Sequence, residues 1–209
     1  MYLSLLKLNP RAKKTQKETA QFYELHRTIL SAFPERNEGG PGKVLFRVDL
    51  DDTTGATNLL VQSEKLPMWE RINGFDHFII SHDYKKYEPQ LQINQLLHFR
   101  LRANPTKRSR QTKKREGILH EEDQLKWLRN KGHQGGFEII SALAINEGFA
   151  KSKLTDQNEA KHDTSMLSVR FDGVLKVIKP DIFLETLKSG VGSAKGFGFG
   201  LLSIAPLKS

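Results

Sequence analysis

The chain has 209 residues and no cysteine, with 33 Lys and Arg against 24 Asp and Glu for a formal charge of +9. That length allows one domain of ordinary size or two small ones, and the missing cysteines exclude a disulfide framework and a thiolate metal site while fitting a reducing cytoplasm. No apolar run approaches the eighteen or so residues of a membrane span, and the opening MYLSLLKLNPRAKK carries its charges after its apolar part, the wrong order for a signal peptide.

In chain order, YLSLLKL predicts a strand ended by Asn9-Pro10. Thr15 and Glu18 offer a capping box, from which one amphipathic helix runs through ETAQFYELHRTILSAF to Phe33. KVLFRVDL and TNLLVQS read as strands joined by DDTTGA, PMWERING as a short helix and DHFIISHDYKKY as a fourth strand. After Glu88-Pro89 the order repeats. LQINQLLHFRLRANP is a strand whose alternation puts Phe99, Leu101 and Ala103 on one face and Arg100, Arg102 and Asn104 on the other. EEDQLKWLRNKG is a helix closed by Gly132, FEIISALAI and SMLSVRFDGVLKVI are strands, and PDIFLETLKSG is a helix with Pro180 at its start and Gly190 after its end. A last strand covers about Phe199 to Ile204. Two successive strand-helix-strand-strand-helix-strand units predict an α+β fold of two tandem ferredoxin-like (RRM-like) βαββαβ domains, residues 1–88 and 89–209.

The positive charge is concentrated. Between Arg100 and Arg115, RLRANPTKRSRQTKKR holds eight basic residues and no acid, and without those eight the remaining basic residues nearly balance the acidic ones. A solvated basic loop is one reading of such a run. Its concentration on an otherwise neutral chain favours a polyanion partner, nucleic acid first, and no amphipathic apolar face accompanies it to suit a membrane surface.

Chemistry has few places to live. At about 100° per residue, Phe22, Leu25, Ile29, Ala32 and Phe33 form the apolar stripe of the first helix, with Tyr23, His26 and Leu30 on an adjoining edge and Arg27 just beyond. Tyr23 and His26 are i and i+3, so their side chains reach one point. That pair reads either as catalytic or as a boundary aromatic beside a surface histidine. Asp49, Asp51 and Asp52 fail EF-hand spacing, the other histidines form no metal-ligand pattern, and no serine sits in a nucleophile elbow. A metal-free reaction using histidine and tyrosine is the chemistry the chain best supports. The glycine-rich SGVGSAKGFGFGLLSIAP lacks the Gly-Lys-Ser/Thr of a P-loop, and it meets the first five positions of the RRM signature at Lys195 to Phe199 before breaking at Gly200 and Leu202. Its glycines serve either backbone bends at positive φ or a close approach to phosphate.

Taken together, FYELH on the first helix, LLVQSE, HFRLRANPTKRS and the terminal GVGSAKGFGFGLLSIAP resemble the CRISPR precursor-RNA endoribonucleases of the CasE type, the processing subunit of Cascade. The resemblance spans essentially the whole chain. It implies two ferredoxin-like domains, cleavage of the CRISPR repeat at the base of its hairpin, Tyr23 and His26 as the catalytic pair, the segment from Arg102 to Arg115 as the stem contact, and Gly190 to Gly200 as the glycine-rich loop. RNA contacts are expected from Arg27, Arg100, Arg102, Lys107, Arg108, Arg110, Lys113, Lys114, Arg115, Gly192, Lys195 and Gly196. No metal or cofactor is expected. The expected partners are the repeat RNA hairpin and other Cascade subunits, with no membrane, a cytoplasmic setting and a monomer when free. The alternative is a non-catalytic RNA-binding subunit of a ribonucleoprotein, in which sheet-face aromatics stack bases and His26 is unimportant. A DNA-binding regulator lacks a helix-turn-helix or zinc pattern.

Overall fold

A computed structural model describes residues 1–51, 54–109, 111, 113–155 and 161–207. Two compact units emerge. The first comprises Met1–Glu88, Lys151–Thr164 and Gly196–Gly198; the second comprises Pro89–Ala150, Ser165–Lys195 and Phe199–Ser209.

In the first unit, strands β1 (Tyr2–Leu8), β2 (Val44–Leu50), β3 (Thr57–Ser63) and β4 (Ile79–Lys86) form an antiparallel sheet in the order β2-β3-β1-β4. This is the ferredoxin-like arrangement, with the first strand between the third and the fourth. Alternation places Leu6, Leu8, Leu59, Val61 and Phe46 inward, where they meet Leu25 and Ile29 of the helical layer in one buried core.

That layer differs from the single predicted helix. It is broken into α1 (Lys13–Ala20) and α2 (Phe22–Leu30), because Gln21 leaves helical geometry at φ −133° and ψ 77°. The residues buried in α1, Thr15 and Glu18, and those buried in α2, Leu25 and Ile29, would share one face of a continuous helix, so periodicity carries no mark of the break. Across it, Thr28 Oγ1 donates to Glu18 Oε1 at 3.0 Å. Ten residues of straight helix would span about 15 Å, so this bond requires the bend. Thr15 is no cap: α1 starts after Ala12, Thr15 is buried within it, and Glu18 is committed to Thr28. Burial pushes the Glu18 carboxyl up, against the lowering effect of Thr28 and Lys14. The short helix at PMWERING is a 3-10 turn at Trp69–Arg71, and a single helical turn, α3 (Phe75–Phe78), takes the first residues of the predicted fourth strand.

The second unit repeats the order. Strands β5 (Leu96–Ala103), β8 (Phe137–Thr155), β9 (Lys161–Val177) and β10 (Leu202–Pro206) form a sheet ordered β10-β5-β9-β8, with helices α4 (Glu121–Gln134) and α5 (Pro180–Ser189). Strands β6 (Thr106–Arg108) and β7 (Arg115–Gly117) make a separate antiparallel hairpin inside the basic segment. Phe99, Leu101 and Ala103 are buried as their alternation requires, joined by Leu128, Phe171, Phe183 and Phe199. Helix α4 continues past Gly132 to Gln134. Gly132 is there for packing: a Cβ would stand 2.8 Å from the Phe137 carbonyl oxygen. The last strand starts at Leu202, later than predicted, because Gly200 holds a left-handed φ of +89°, outside extended geometry, although its amide already donates to the Arg102 carbonyl at 2.8 Å.

Candidate nucleic-acid interface

Helix α2 presents Tyr23 and His26 on the edge of its buried stripe, Tyr23 exposed and His26 half-buried. Both meet residues remote in sequence but within the first unit. The Tyr23 ring lies 5.8 Å from that of Phe197, and the His26 ring stacks on Phe46 of β2 at 5.9 Å and 13°. Gly196 reaches the imidazole, such that a Cβ built there would stand 3.3 Å from Nδ1. Gly198 closes over Phe46 with φ +77°, where a Cβ would lie 3.1 Å from the ring, so this position needs both left-handed backbone and a bare α-carbon. Burial lowers the pKa of His26 below the ordinary histidine value, favouring the neutral imidazole near pH 7. Arg27 turns away to Glu24, at 3.4 Å in an exposed i, i+3 pair. Such a pair is weak and yields readily to another anion.

The second unit holds a basic cleft of about 710 Å³. The β6–β7 hairpin contributes Thr106, Lys107, Arg108, Lys113 and Arg115; α4 contributes Trp127 and Lys131; Gly192 and Ser193 of the glycine-rich run and Asn104 complete it. Gly192 has φ +83° and packs against the Trp127 ring, at 3.2 Å for a Cβ. Trp127 also stacks with Phe171, ring centroids 6.2 Å apart. Arg108 and Arg115 stand directly opposite in the hairpin register. Like charges so placed are unfavourable alone and are relieved by an anion between them.

Arg100 and Arg102 do not join this cleft. Arg100 grips Asp172 through Nε at 2.6 Å and Nη2 at 3.3 Å, and Arg102 grips Glu147 at 2.6 and 2.8 Å. Arg170 lies between the two carboxylates, 3.1 Å from Asp172 and 4.0 Å from Glu147, and Ser168 donates to Glu147 at 2.8 Å. Burial raises the Glu147 carboxyl, but hydrogen bonds from Arg102 and Ser168 and the charges of Arg102 and Arg170 outweigh it, so its pKa is lowered. The stability this pairing confers is present at neutral pH and is lost as pH falls through that depressed value. Lys114 is exposed outside the cleft lining, Lys195 sits in a 3-10 turn, Lys195–Phe197, and Arg110 lies outside the described residues.

Both the sequence and the fold of the chain are similar to those of known proteins. A model of the family described as CRISPR associated protein matches residues 1–206. The chain belongs to the CRISPR-associated protein family, with members of the CasE type. It is 32% identical over 213 residues to the CRISPR-associated endoribonuclease Cse3 of Thermus thermophilus, covering 99% of this chain and 100% of that protein. It is 30% identical over 197 residues to the CRISPR system Cascade subunit CasE of Escherichia coli, covering 88% of this chain and 92% of the relative. A solved structure of CRISPR endoribonuclease Cse3 bound to 19 nt RNA superposes with a TM-score of 0.88 at 32% identity, covering 99% of this chain and 100% of that one.

Within this CRISPR-associated protein, sequence reasoning missed Phe46 and Phe197 beside the histidine–tyrosine edge, and Trp127 and Lys131 in the cleft. Trp127 and Lys131 are i and i+4 on α4, so one helix edge carries both, a signal legible once that edge is known to face the basic hairpin. Phe46 had no such signal, since a buried aromatic on a strand reads as core.

Proposed function

We propose that the protein binds the CRISPR repeat hairpin and cleaves precursor RNA at the base of the stem. The carrying observation is His26: a half-buried imidazole packed against Phe46 and Gly196 beside the exposed Tyr23, in a chain 32% identical to a protein named an endoribonuclease. The RNA's own 2′-hydroxyl attacks the adjacent phosphorus, the P–O5′ bond breaks, and the products end in a 2′,3′-cyclic phosphate and a 5′-hydroxyl. The protein then needs to supply alignment, proton transfer and charge stabilisation, with no metal-activated water. Neutral His26 is suited to take the 2′-hydroxyl proton, and the imidazolium so formed to return one to the leaving oxygen. Tyr23 donates its hydroxyl to a phosphate oxygen. In this reading residues 1–88 form the domain carrying the catalytic helix, and residues 89–209 the domain with the basic hairpin and the glycine-rich loop, of which Gly196–Gly198 packs as part of the first unit. The relative named a Cascade subunit supports assembly with other Cascade subunits. No helix of the described residues is long and apolar enough to cross a membrane. The absence of cysteine suits a cytoplasmic setting.

The direct test is end-group analysis of a labelled repeat hairpin after incubation with the purified protein. A single cut at the stem base with a 2′,3′-cyclic phosphate on the upstream fragment is expected. An intact hairpin, or a 3′-hydroxyl upstream end, contradicts the reading.

The cleft is proposed to follow the stem backbone, because the deep, narrow major groove of A-form RNA resists base reading. Phosphate contacts release counterions, so log K falls with log[salt] by about 0.9 per phosphate neutralised on a duplex. Replacing Lys107, Arg108, Lys113 and Arg115 with alanine is therefore expected to weaken hairpin binding and flatten the salt slope by up to about 3.6 units if all four touch phosphate. Titrations at several salt concentrations read both quantities. Wild-type affinity with an unchanged slope would move the stem contact elsewhere. By the same argument, Arg100 and Arg102 contribute less than the cleft residues, since each would have to leave a carboxylate to hold phosphate.

A further inference from the structure

We propose that Gly196 is a positioning residue for His26, its bare α-carbon letting the glycine-rich segment lie against the Nδ1 side of the imidazole and leaving Nε2 to exchange the proton with the RNA. The inference deepens the nuclease reading and rests on it for the proton transfer. Gly196 differs from its neighbours in the reason it is glycine. Gly192, Gly198 and Gly200 all have positive φ, whereas the backbone of Gly196 lies outside that region and would accept any L-residue. What crowds a side chain there is the imidazole: a Cβ would stand 3.3 Å from Nδ1, 3.4 Å from Cε1 and 3.9 Å from Cγ. These are contacts tight enough that the ring must yield. It cannot yield freely, because Phe46 stacks on it and His26 stands on a helix anchored by the buried Leu25 and Ile29. Neither ring nitrogen has a protein hydrogen-bond partner among the described residues, so packing against Phe46 and Gly196 takes the orienting part that a carboxylate plays beside many catalytic histidines. Displacing a reacting group by about 1 Å costs on the order of a hundredfold in rate, so a methyl group at position 196 has leverage on the chemistry.

The test compares Gly196→Ala and Gly196→Ser with wild type by NMR titration of the His26 ring in the free protein, by hairpin affinity, and by single-turnover cleavage at saturating protein. The His26 ring resonances are expected to shift and its titration midpoint to move toward that of an ordinary histidine, as the ring is pushed out of its packed position. Cleavage is expected to fall about tenfold or more, further for serine than for alanine, with affinity within about twofold of wild type. Unchanged His26 resonances overturn the contact. Lost affinity with an unchanged saturated rate overturns the positioning role and makes Gly196 an RNA contact. A wild-type protein that leaves the hairpin intact overturns the nuclease reading and the proton-transfer role with it, while the resonances of the free protein report the contact independently of activity.

Discussion

His26→Ala is expected to lower the single-turnover cleavage rate by roughly 10²-fold or more, the usual scale for removing a general acid or base, with hairpin affinity close to wild type. The separation of rate from affinity follows from where the charges are. His26 is neutral near pH 7 because burial lowers its pKa, so its loss removes no phosphate-attracting charge, and the cluster of cations lies in the cleft built on the β6–β7 hairpin. His26 also stacks on Phe46, so the alanine variant is checked for folding by thermal melting before its rate is read. Wild-type cleavage by His26→Ala would remove the catalytic assignment. Tyr23→Phe is expected to cost less, since the ring contact with Phe197 survives and only the hydroxyl is lost.

A single 2′-deoxy substitution at the nucleotide 5′ to the cut is expected to abolish cleavage while leaving binding intact, and excess EDTA is expected to leave cleavage of the unmodified hairpin unchanged. Both follow from the nucleophile. When the attacking oxygen belongs to the RNA, its removal ends the reaction whatever the protein supplies, and no water needs activation by a metal. Phosphate contacts in the cleft do not depend on that hydroxyl, so the deoxy hairpin is a bound, uncut substrate. A gel assay of cleavage beside a binding titration separates the two effects. Cleavage of the deoxy hairpin, or loss of cleavage in EDTA, would make water the nucleophile.

Local pattern in the sequence carried the fold class and the composition of the helix edge. Strand alternation and helical periodicity are properties of neighbouring residues, so the stripe Phe22, Leu25, Ile29, Ala32 and Phe33 and the face Phe99, Leu101 and Ala103 are legible without a structure; all are buried except Phe22, which packs partly buried against the same core. Scattered short motifs carried the family, because FYELH and the glycine-rich run combine residue types in an unusual order. Tertiary structure decided what each chemical group faces. The break at Gln21 contains no proline or glycine and leaves the buried residues of both helices at positions that would share one face, so the backbone angles at Gln21 and the Thr28–Glu18 bond are what reveal it. Arg100 and Arg102 read from sequence as part of one basic run, yet Asp172 and Glu147, 72 and 45 residues away, pair with them across the sheet. Gly196 reads as one flexible glycine among many, and only the fold shows a histidine ring occupying the space of its missing side chain. Periodicity reports which face of an element is apolar, but charge neutralisation and steric clearance depend on strand register and on the meeting of distant segments, which no local window contains.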